Sequence, residues 1–426
     1  VKVLVIGSGA REHALCRSLS LDSAVSAVYC APGNAGIAQV AELRQVDALN
    51  AGDVADLAQR LGVDLVVVGP EAPLVAGVAD AVRARGIDCF GPSGTAARLE
   101  GSKAFAKEVM AAAGVPTARS YVCVTAEEAD RALDAFGPPY VVKDDGLAAG
   151  KGVVVTDDLD VARAHAASCD RVVIEEFLDG PEVSLFVLCD GDDVVALQPA
   201  QDFKRVGDED AGPNTGGMGA YTPLPWAPEG LTEDLVRTVA QPTVDEMRRR
   251  GTPFSGVLFI GLALTSRGPR VIEYNCRFGD PETQVVLASL ATPLAGVLHA
   301  AATGRLGELE PLRWHEGAAV TVVVAAENYP ATPRTGDPIK GLAEVAKLPH
   351  TYVLHGGTRR GEAGEVLSSG GRVLSITGTG ATLEQARQHA YEGVALIGLP
   401  GSHHRTDIAA KASRGEISVA GYPPRG

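Results

Sequence analysis

The chain has 426 residues, 46% of them hydrophobic and 21% charged, and a net charge of −15. That balance works against non-specific binding to nucleic acid or to an anionic membrane, since both need a basic surface, and no apolar run approaches the roughly 20 residues that cross a bilayer. Seven scattered cysteines without a CxxC pair argue against a disulfide framework and read as reduced thiols.

The length suits about three domains. The first residues run straight into an apolar strand, without the basic, apolar and cleavage segments of a leader, so cytoplasmic residence is expected. So is a monomer. Residues 1–101 read as an N-terminal α/β domain, with strands at 3–6, 27–30, 65–68 and 87–90 and helices at 12–20 and 75–85. Short apolar strands separated by helices imply a buried parallel sheet, and ligands bind at the carboxyl ends of such strands. Three strands end in polar or glycine-rich turns, at 7–12, 31–34 and 69–73, which should form one rim. The Gly7-Ser8-Gly9 turn lacks the third glycine of a dinucleotide fingerprint, and the second strand ends in Cys30-Ala31-Pro32 without the acidic residue that binds a ribose diol. Either a phosphate sits on the backbone N–H groups of this helix start or the turn is purely structural.

A second unit spans 102–324. It opens with a helix at 102–113, stopped by Gly114 and Pro116, and holds a strand-rich subdomain at about 117–190. Within it, valine runs flank Gly146-Leu147-Ala148-Ala149-Gly150-Lys151-Gly152, so the segment reads as a hairpin flap. It is no Walker A loop, because only three residues separate the first two glycines and Gly152 stands where Ser or Thr is required. Lys143 and Lys151 must supply the charge over a bound anion, unless the hairpin is merely a flexible surface feature. The strand edge Glu175-Glu176-Phe177-Leu178 and the nearby Glu182 could serve an adenine and its ribose, although a solvated acidic turn reads equally well. Residues 201–221 form a long polar stretch with too few apolar residues for core, and loops of that length are usually functional. A helix starting at 232 should kink at Pro242.

In the strand-like run 271–275, Glu273 and Asn275 are two apart and leave the same face. Paired hard oxygens suit Mg²⁺, against the alternative of two solvated side chains. Arg277, Asp280 and Glu282 follow around Gly279 and Pro281. The pattern restarts in a C-terminal domain at 325–426, with strands near 321–325, 352–354 and 372–376. A helix at 383–397 follows, with Thr382 and Gln385 spaced as a capping box.

In order, Gly7-Ser8-Gly9-Ala10-Arg11-Glu12-His13, Ala31-Pro32-Gly33-Asn34, Gly69-Pro70-Glu71, Leu99-Glu100-Gly101-Ser102-Lys103, the flap loop, Gly212-Pro213-Asn214-Thr215-Gly216-Gly217-Met218-Gly219 and Asn275-Cys276-Arg277-Phe278-Gly279-Asp280-Pro281-Glu282 resemble the glycinamide ribonucleotide synthetases (phosphoribosylamine–glycine ligases) of the ATP-grasp superfamily. The resemblance spans nearly the whole chain. It implies an α/β fold: a Rossmann-like N-terminal domain, an ATP-grasp domain with a small flap subdomain, and a C-terminal α+β domain. It also implies ligation of glycine to 5-phosphoribosylamine through glycyl phosphate in purine biosynthesis, with ATP and Mg²⁺ or Mn²⁺. Lys103, Lys143 and Lys151 would hold phosphates, Glu175, Glu176, Phe177, Leu178 and Glu182 the nucleoside, and Glu273 and Asn275 the metal. Arg277 would orient the glycine carboxylate or acyl phosphate. Gly9, Asn34, Glu71, Asp202, Asn214, Gly216, Gly217 and Met218 would surround phosphoribosylamine. The chain departs from the family pattern at Ser8, Ala10, Asp144 and Phe203, and Asp144, next to Lys143, should face away from it. Another ATP-grasp ligase or carboxylase, a nucleotide sensor and, least favoured, a dehydrogenase are the competing readings.

Overall fold

The structure is a computed structural model that describes residues 1–148 and 151–420; Ala149 and Gly150 of the flap loop lie outside the described residues. Strands β1 (Lys2–Gly7), β2 (Ala27–Pro32), β3 (Glu42–Leu43), β4 (Leu65–Val68) and β5 (Asp88–Phe90) pair in parallel in the order 3-2-1-4-5. Alternate residues feed opposite cores. Val3, Val5, Leu65 and Val67 enter one cluster, and Leu4, Ile6, Val66 and Val68 the other, as a parallel sheet covered on both faces requires. The strand order reverses between β1 and β4, whose carboxyl ends carry Gly7 and Gly69 side by side.

The helices of this domain are α1 (Ala10–Ser20), α2 (Ala51–Leu61), α3 (Glu71–Val75) and α4 (Val78–Ala84). The helix expected at 75–85 starts later, at Val78, because Gly77 at φ 86° separates it from α3. Sequence reading omitted α2, which Asn50 caps by accepting from the Asp53 N–H.

Helices α5 (Arg98–Gly101) and α6 (Lys103–Ala113) lead into the second domain. Ser102 caps α6 by accepting from Phe105 N–H at 3.1 Å, and Gly114 closes it at φ 68°. Strands β6 (Ser120–Cys123), β7 (Tyr140–Asp144), β8 (Val153–Thr156) and β9 (Val172–Glu175) form an antiparallel sheet in the order 6-9-7-8, backed by α7 (Ala126–Phe136) and α8 (Leu159–Ala167). The β7–β8 pair is the flap hairpin, with Lys143 opposite Val153.

There follow β10 (Glu182–Asp190), β11 (Val194–Ala196), β12 (Gln201–Asp202), β13 (Arg205–Gly207), β14 (Ala211–Asn214), β15 (Gly219–Thr222), β16 (Ser255–Thr265) and β17 (Gly268–Asn275). The strand β10 pairs along its whole length with β16, in a separate sheet ordered 11-10-16-17. The flap subdomain therefore stops short of the expected residue 190. Between β15 and β16, α9 (Leu231–Leu235) passes through a π-helical turn at 236–240 into α10 (Gln241–Arg249), with Pro242 in its first turn.

After α11 (Glu282–Ser289) and α12 (Leu294–Ala302) come β18 (Ala318–Ala325), α13 (Leu342–Val345), β19 (Thr351–His355), the hairpin β20 (Thr358–Arg360) and β21 (Val366–Ser368), β22 (Arg372–Gly380) and α14 (Leu383–Leu396). The C-terminal sheet runs 12-15-18-22-19. The expected boundary at 324/325 cuts through β18, which pairs with β22 from Ala318 to Ala325. This sheet also recruits β12 and β15 from the polar stretch at 201–221, and Met218, Ala220 and Tyr221 are fully buried, so that stretch is not all loop. Thr382 caps α14 by accepting from Gln385 N–H, while the Gln385 side chain accepts from Ala381 N–H, one residue before a capping box would place it.

Candidate active site between the domains

One cleft gathers residues from α3, α5, α6, β7, β9 and β17. On its floor, Glu175 is 3% exposed and takes Lys143 Nζ at 2.8 Å and Lys107 Nζ at 3.0 Å. Lys143 also donates to the Ile272 carbonyl at 3.2 Å. Ile272 is the bulged residue of β17, skipped where Gly261 opposes Glu273 and Leu262 opposes Val271. A bulge leaves ladder groups unpaired, and here the free carbonyl fixes a lysine. Asp144 does not line the cleft that Lys143 lines.

Lys107 was not singled out from sequence. It lies one helical turn after Lys103 on α6, which puts both on one face. Lys103 Nζ donates to the carbonyls of Asp144 and Gly146 at 2.7 and 2.8 Å, so its ammonium ties the flap to α6. Burial lowers both ammonium groups from the usual lysine range, against nearby carboxylates that raise them. Lys151 is exposed at the foot of β8 and its side chain has no partner among the described residues.

The opposite wall is built around Arg277. Its Nε meets Glu71 at 3.1 Å, and its Nη2 meets Glu100 at 2.9 Å and Asn275 Oδ1 at 3.2 Å. Glu71 comes from the N-terminal domain just past β4, so this arginine joins two domains. Burial opposes its charge, but Glu100 and Glu71 outweigh that and raise its pKa. Glu100, 8% exposed, also accepts from the Cys276 thiol at 3.2 Å. It sits inside a motif quoted from the sequence, but nothing in its spacing marked it.

Glu273 and Asn275 both line the cleft, as their spacing of two predicted. Burial disfavours a charged Glu273, but Lys204, Lys143, Arg277 and Lys103 overcome it and hold the carboxyl below its usual range. That carboxylate stays ionised at neutral pH with its side chain 34% exposed. Among the described residues no group of three or more His, Cys, Asp or Glu is placed to hold a metal. One carboxylate and one amide oxygen suit a Mg²⁺ ion that keeps waters and shares phosphate oxygens, rather than a closed protein cage.

Beside this wall, Lys204 meets Glu182 at 3.2 Å. Burial pushes Asp202 up to about 6, with Lys204 opposing and Glu182 and Glu273 reinforcing. Burial pushes Glu282 up to about 8, helped by Asp202. Glu176 is turned to Arg119, whose backbone N–H donates to it at 2.9 Å. Phe177 is 48% exposed, and the N–H groups of Phe177 and Leu178 have no partner among the described residues.

Of the residues expected around phosphoribosylamine, Gly9, Asn34, Gly216 and Gly217 meet at the junction of the three domains, with several already committed. Asn34 donates to the carbonyls of Ser8, His355 and Gly356 and accepts from Gly36 and Ile37 N–H, so its side chain fixes the loop. Met218 has a fully buried side chain, its N–H bonds to the Phe203 carbonyl and its C=O accepts from Val323 N–H. The start of α1 is also largely taken, with Gly9 N–H on Glu12 at 3.2 Å and Arg11 N–H on Asp280 at 3.2 Å. Glu12 fills the space beside Gly7 and Gly69, where a Cβ would lie 2.4 and 2.6 Å from it. A phosphate seated on this helix start would have to displace that carboxylate. Asn214 ends β14. Gly216 and Gly217 pack on Arg372 and Pro281, with an added Cβ 2.8 and 2.4 Å from them. Phe203 lies under Arg405, whose guanidinium carbon is 4.9 Å from the ring centroid.

The sequence matches the phosphoribosylglycinamide synthetase N domain over residues 1–100, its ATP-grasp (A) domain over 101–283 and its C domain over 319–411. It is 74% identical over 415 residues to the phosphoribosylamine–glycine ligase of Streptomyces coelicolor, covering 97% of this chain and all of that one. It is 58% identical to the Mycobacterium bovis ligase over 98% of this chain and all of the other. The structure superposes on the crystal structure of phosphoribosylamine–glycine ligase from Thermotoga maritima with a TM-score of 0.83 and 33% identity, over 96% of this chain and all of that one. It superposes on the biotin carboxylase domain of Hydrogenobacter thermophilus 2-oxoglutarate carboxylase with a TM-score of 0.72 and 18% identity, over 95% and 91%; that likeness shows the fold alone. The three domains in family order, the full-length identities and the cleft between them together place the chain in the phosphoribosylglycinamide synthetase family, the ATP-grasp phosphoribosylamine–glycine ligases of purine biosynthesis.

Proposed function

We infer that the cleft activates glycine with ATP and passes the glycyl group to 5-phosphoribosylamine. The glycine carboxylate attacks the γ-phosphorus to give glycyl phosphate and ADP; the amine then attacks the carbonyl carbon, loses a proton and expels phosphate. Both partners of the first step are anions. Catalysis is then mostly the placement of positive charge where they meet, and the cleft supplies it on Lys103, Lys143 and Arg277, with Lys151 on the flap beside them.

The observation that carries this reading is Arg277, held by Glu71 and Glu100 at the meeting of two domains, next to Glu273, Asn275 and the Glu175-anchored Lys143. In this role Arg277 orients the glycine carboxylate and then the acyl phosphate. The open edge at Glu175 to Leu178 takes the adenine through Phe177 and Leu178 N–H, since the Glu175 carboxylate is spent on the lysines. Glu182 takes the ribose. Glu273 and Asn275 would hold Mg²⁺ or Mn²⁺, which when bound would neutralise charge on the β- and γ-phosphates. Gly9, Asn34, Glu71, Asp202, Asn214, Gly216 and Gly217 shape the pocket for phosphoribosylamine, Asn34 through the loop it fixes. The enzyme works as a monomer in the cytoplasm, so light scattering should find a single species of 43.9 kDa.

The test is ADP release with each component omitted in turn. Full turnover should need glycine, phosphoribosylamine, ATP and Mg²⁺ together, with glycinamide ribonucleotide formed in step with ADP. Equal ADP release without glycine, or with another amino acid in its place, would refute the reading.

A further inference from the structure

A sugar phosphate brings about two negative charges at neutral pH, yet Gly9, Asn34, Gly216 and Gly217 carry no cation to meet them. The α1 start offers little, since Gly9 and Arg11 N–H groups are taken. Nor does Arg11: its Nε and Nη2 are on Glu12, its Nη1 is on the Phe278 carbonyl, and it is 8% exposed. Arg277, between Glu71 and Glu100 in the nucleotide cleft, is the group assigned above to the glycine carboxylate.

Arg372, at the start of β22, is different. Among the described residues its Nη1 makes every polar contact of the side chain: the Asp280 carbonyl at 2.8 Å, the Gly217 carbonyl at 3.4 Å and the Asp280 carboxylate at 3.6 Å. Its Nε and Nη2 have no partner among the described residues, and the side chain is 27% exposed. The Asp280 carboxylate is itself occupied by Gln284 at 2.7 Å and Arg11 N–H at 3.2 Å. Gly216 leaves room for the guanidinium, since a Cβ there would stand 3.0 and 3.1 Å from Nη2 and Nε. The same stretch of β22 is joined to the Asn34 loop: Gly357 N–H bonds to the Arg372 carbonyl at 2.8 Å, and Asn34 bridges the Gly356 and Ser8 carbonyls.

We propose that Arg372 binds the 5-phosphate of phosphoribosylamine through its Nε–Nη2 edge, an assignment that rests on the ligase reading above for the identity of the ligand. One nitrogen anchored on two carbonyls leaves the other two as a fixed fork, the geometry that grips phosphate in a bidentate way. Little side-chain freedom remains to be lost on binding. This gives the C-terminal domain a direct part in substrate recognition.

Calorimetric titration of the full chain with ribose 5-phosphate, and with ribose as control, tests it. The wild type should bind ribose 5-phosphate and discriminate against ribose. Arg372→Met should weaken ribose 5-phosphate roughly tenfold to a hundredfold and raise KM for phosphoribosylamine in proportion. KM for ATP and for glycine should stay within about twofold, and Arg372→Lys should restore part of the loss. Unchanged affinity in Arg372→Met, no preference for the phosphate in the wild type, or an equal loss for all three substrates with a lowered melting temperature would overturn it, the last outcome marking a plain structural staple. If the wild type fails to join glycine but binds ribose 5-phosphate in an Arg372-dependent way, the ligase reading falls and the phosphate subsite stands.

Discussion

The junction of the N- and C-terminal domains should weaken in mild acid, and two buried histidines set by how much. His13 on α1 is 4% exposed and His355 at the end of β19 is 3% exposed. His13 Nδ1 accepts the His355 backbone N–H at 2.8 Å, and His355 Nδ1 meets Thr358 Oγ1 at 2.9 Å. Burial lowers His13 to about 3, with His355 and Arg17 adding to it, and lowers His355 to about 4, with Arg360 adding. Both native values lie below the unfolded value near 6.5, so the unfolded chain takes up protons first. Stability is therefore complete above about pH 6.5 and is lost as pH falls. At about pH 5 each histidine costs roughly 2 kcal/mol, from 1.5 pH units at 1.36 kcal/mol per unit. The pair costs roughly 4 kcal/mol. The figure hardly depends on how low the native values lie, because at that pH the unfolded value alone sets it. Imidazole ¹⁵N spectra of the folded protein should show both rings neutral down to about pH 5, with His13 carrying its proton on Nε2. Between about pH 7.5 and 5, His13→Gln should lose roughly 2 kcal/mol less stability than the wild type. A His13 or His355 resonance titrating above about pH 6, or a variant with the wild-type pH slope, would refute the reasoning.

Replacing Lys143 by Met should lower kcat by roughly a hundredfold to a thousandfold, since a lysine about 4 Å from a phosphate charge interacts by about 4 kcal/mol at an effective dielectric near 20. The melting temperature should fall by only a few degrees because Lys107 still pairs Glu175; near-normal turnover in single-turnover ADP assays would argue against the site. Glu273→Gln should raise the Mg²⁺ concentration for half-maximal activity by roughly tenfold or more, because in the proposed site only two protein oxygens would hold the ion and one would lose its charge; an unchanged metal titration would move the metal elsewhere. Gly36→Ala should lower the melting temperature, because its Cβ would fall 2.3 Å from the His355 ring and 2.7 Å from that of His13, and rings packed between two domains have little room to yield.

How much of this was legible depends on whether a signal was local. The parallel sheet was, because valine and leucine runs at 3–6 and 65–68 are short, apolar and bounded by glycine turns. The pairing of Glu273 with Asn275 was too, because a period of two puts them on one face whatever surrounds them. The helix expected at 75–85 was placed too early at its start, since a glycine inside a helical pattern gives no sign of whether its φ is positive, and Gly77 puts the start at Val78. The polar stretch at 201–221 misled because its last three residues, Gly219 to Tyr221, are buried strand and gain their burial from β18, about a hundred residues away. The same limit applies within the site. Lysines at 143 and 103 are visible as charges near glycines, but their settings are not. Lys143 is fixed by a carbonyl that a bulge in β17 frees, and Lys103 by two carbonyls of the flap. Arg372, on a strand read only as the third of the C-terminal domain, gave no sign at all, because it depends on Gly216 and Asp280 arriving from two other parts of the chain. What sequence spacing reveals is which groups can share a face. Which of their hydrogen bonds are already spent, and so which remain for a ligand, is decided by partners far away in the chain.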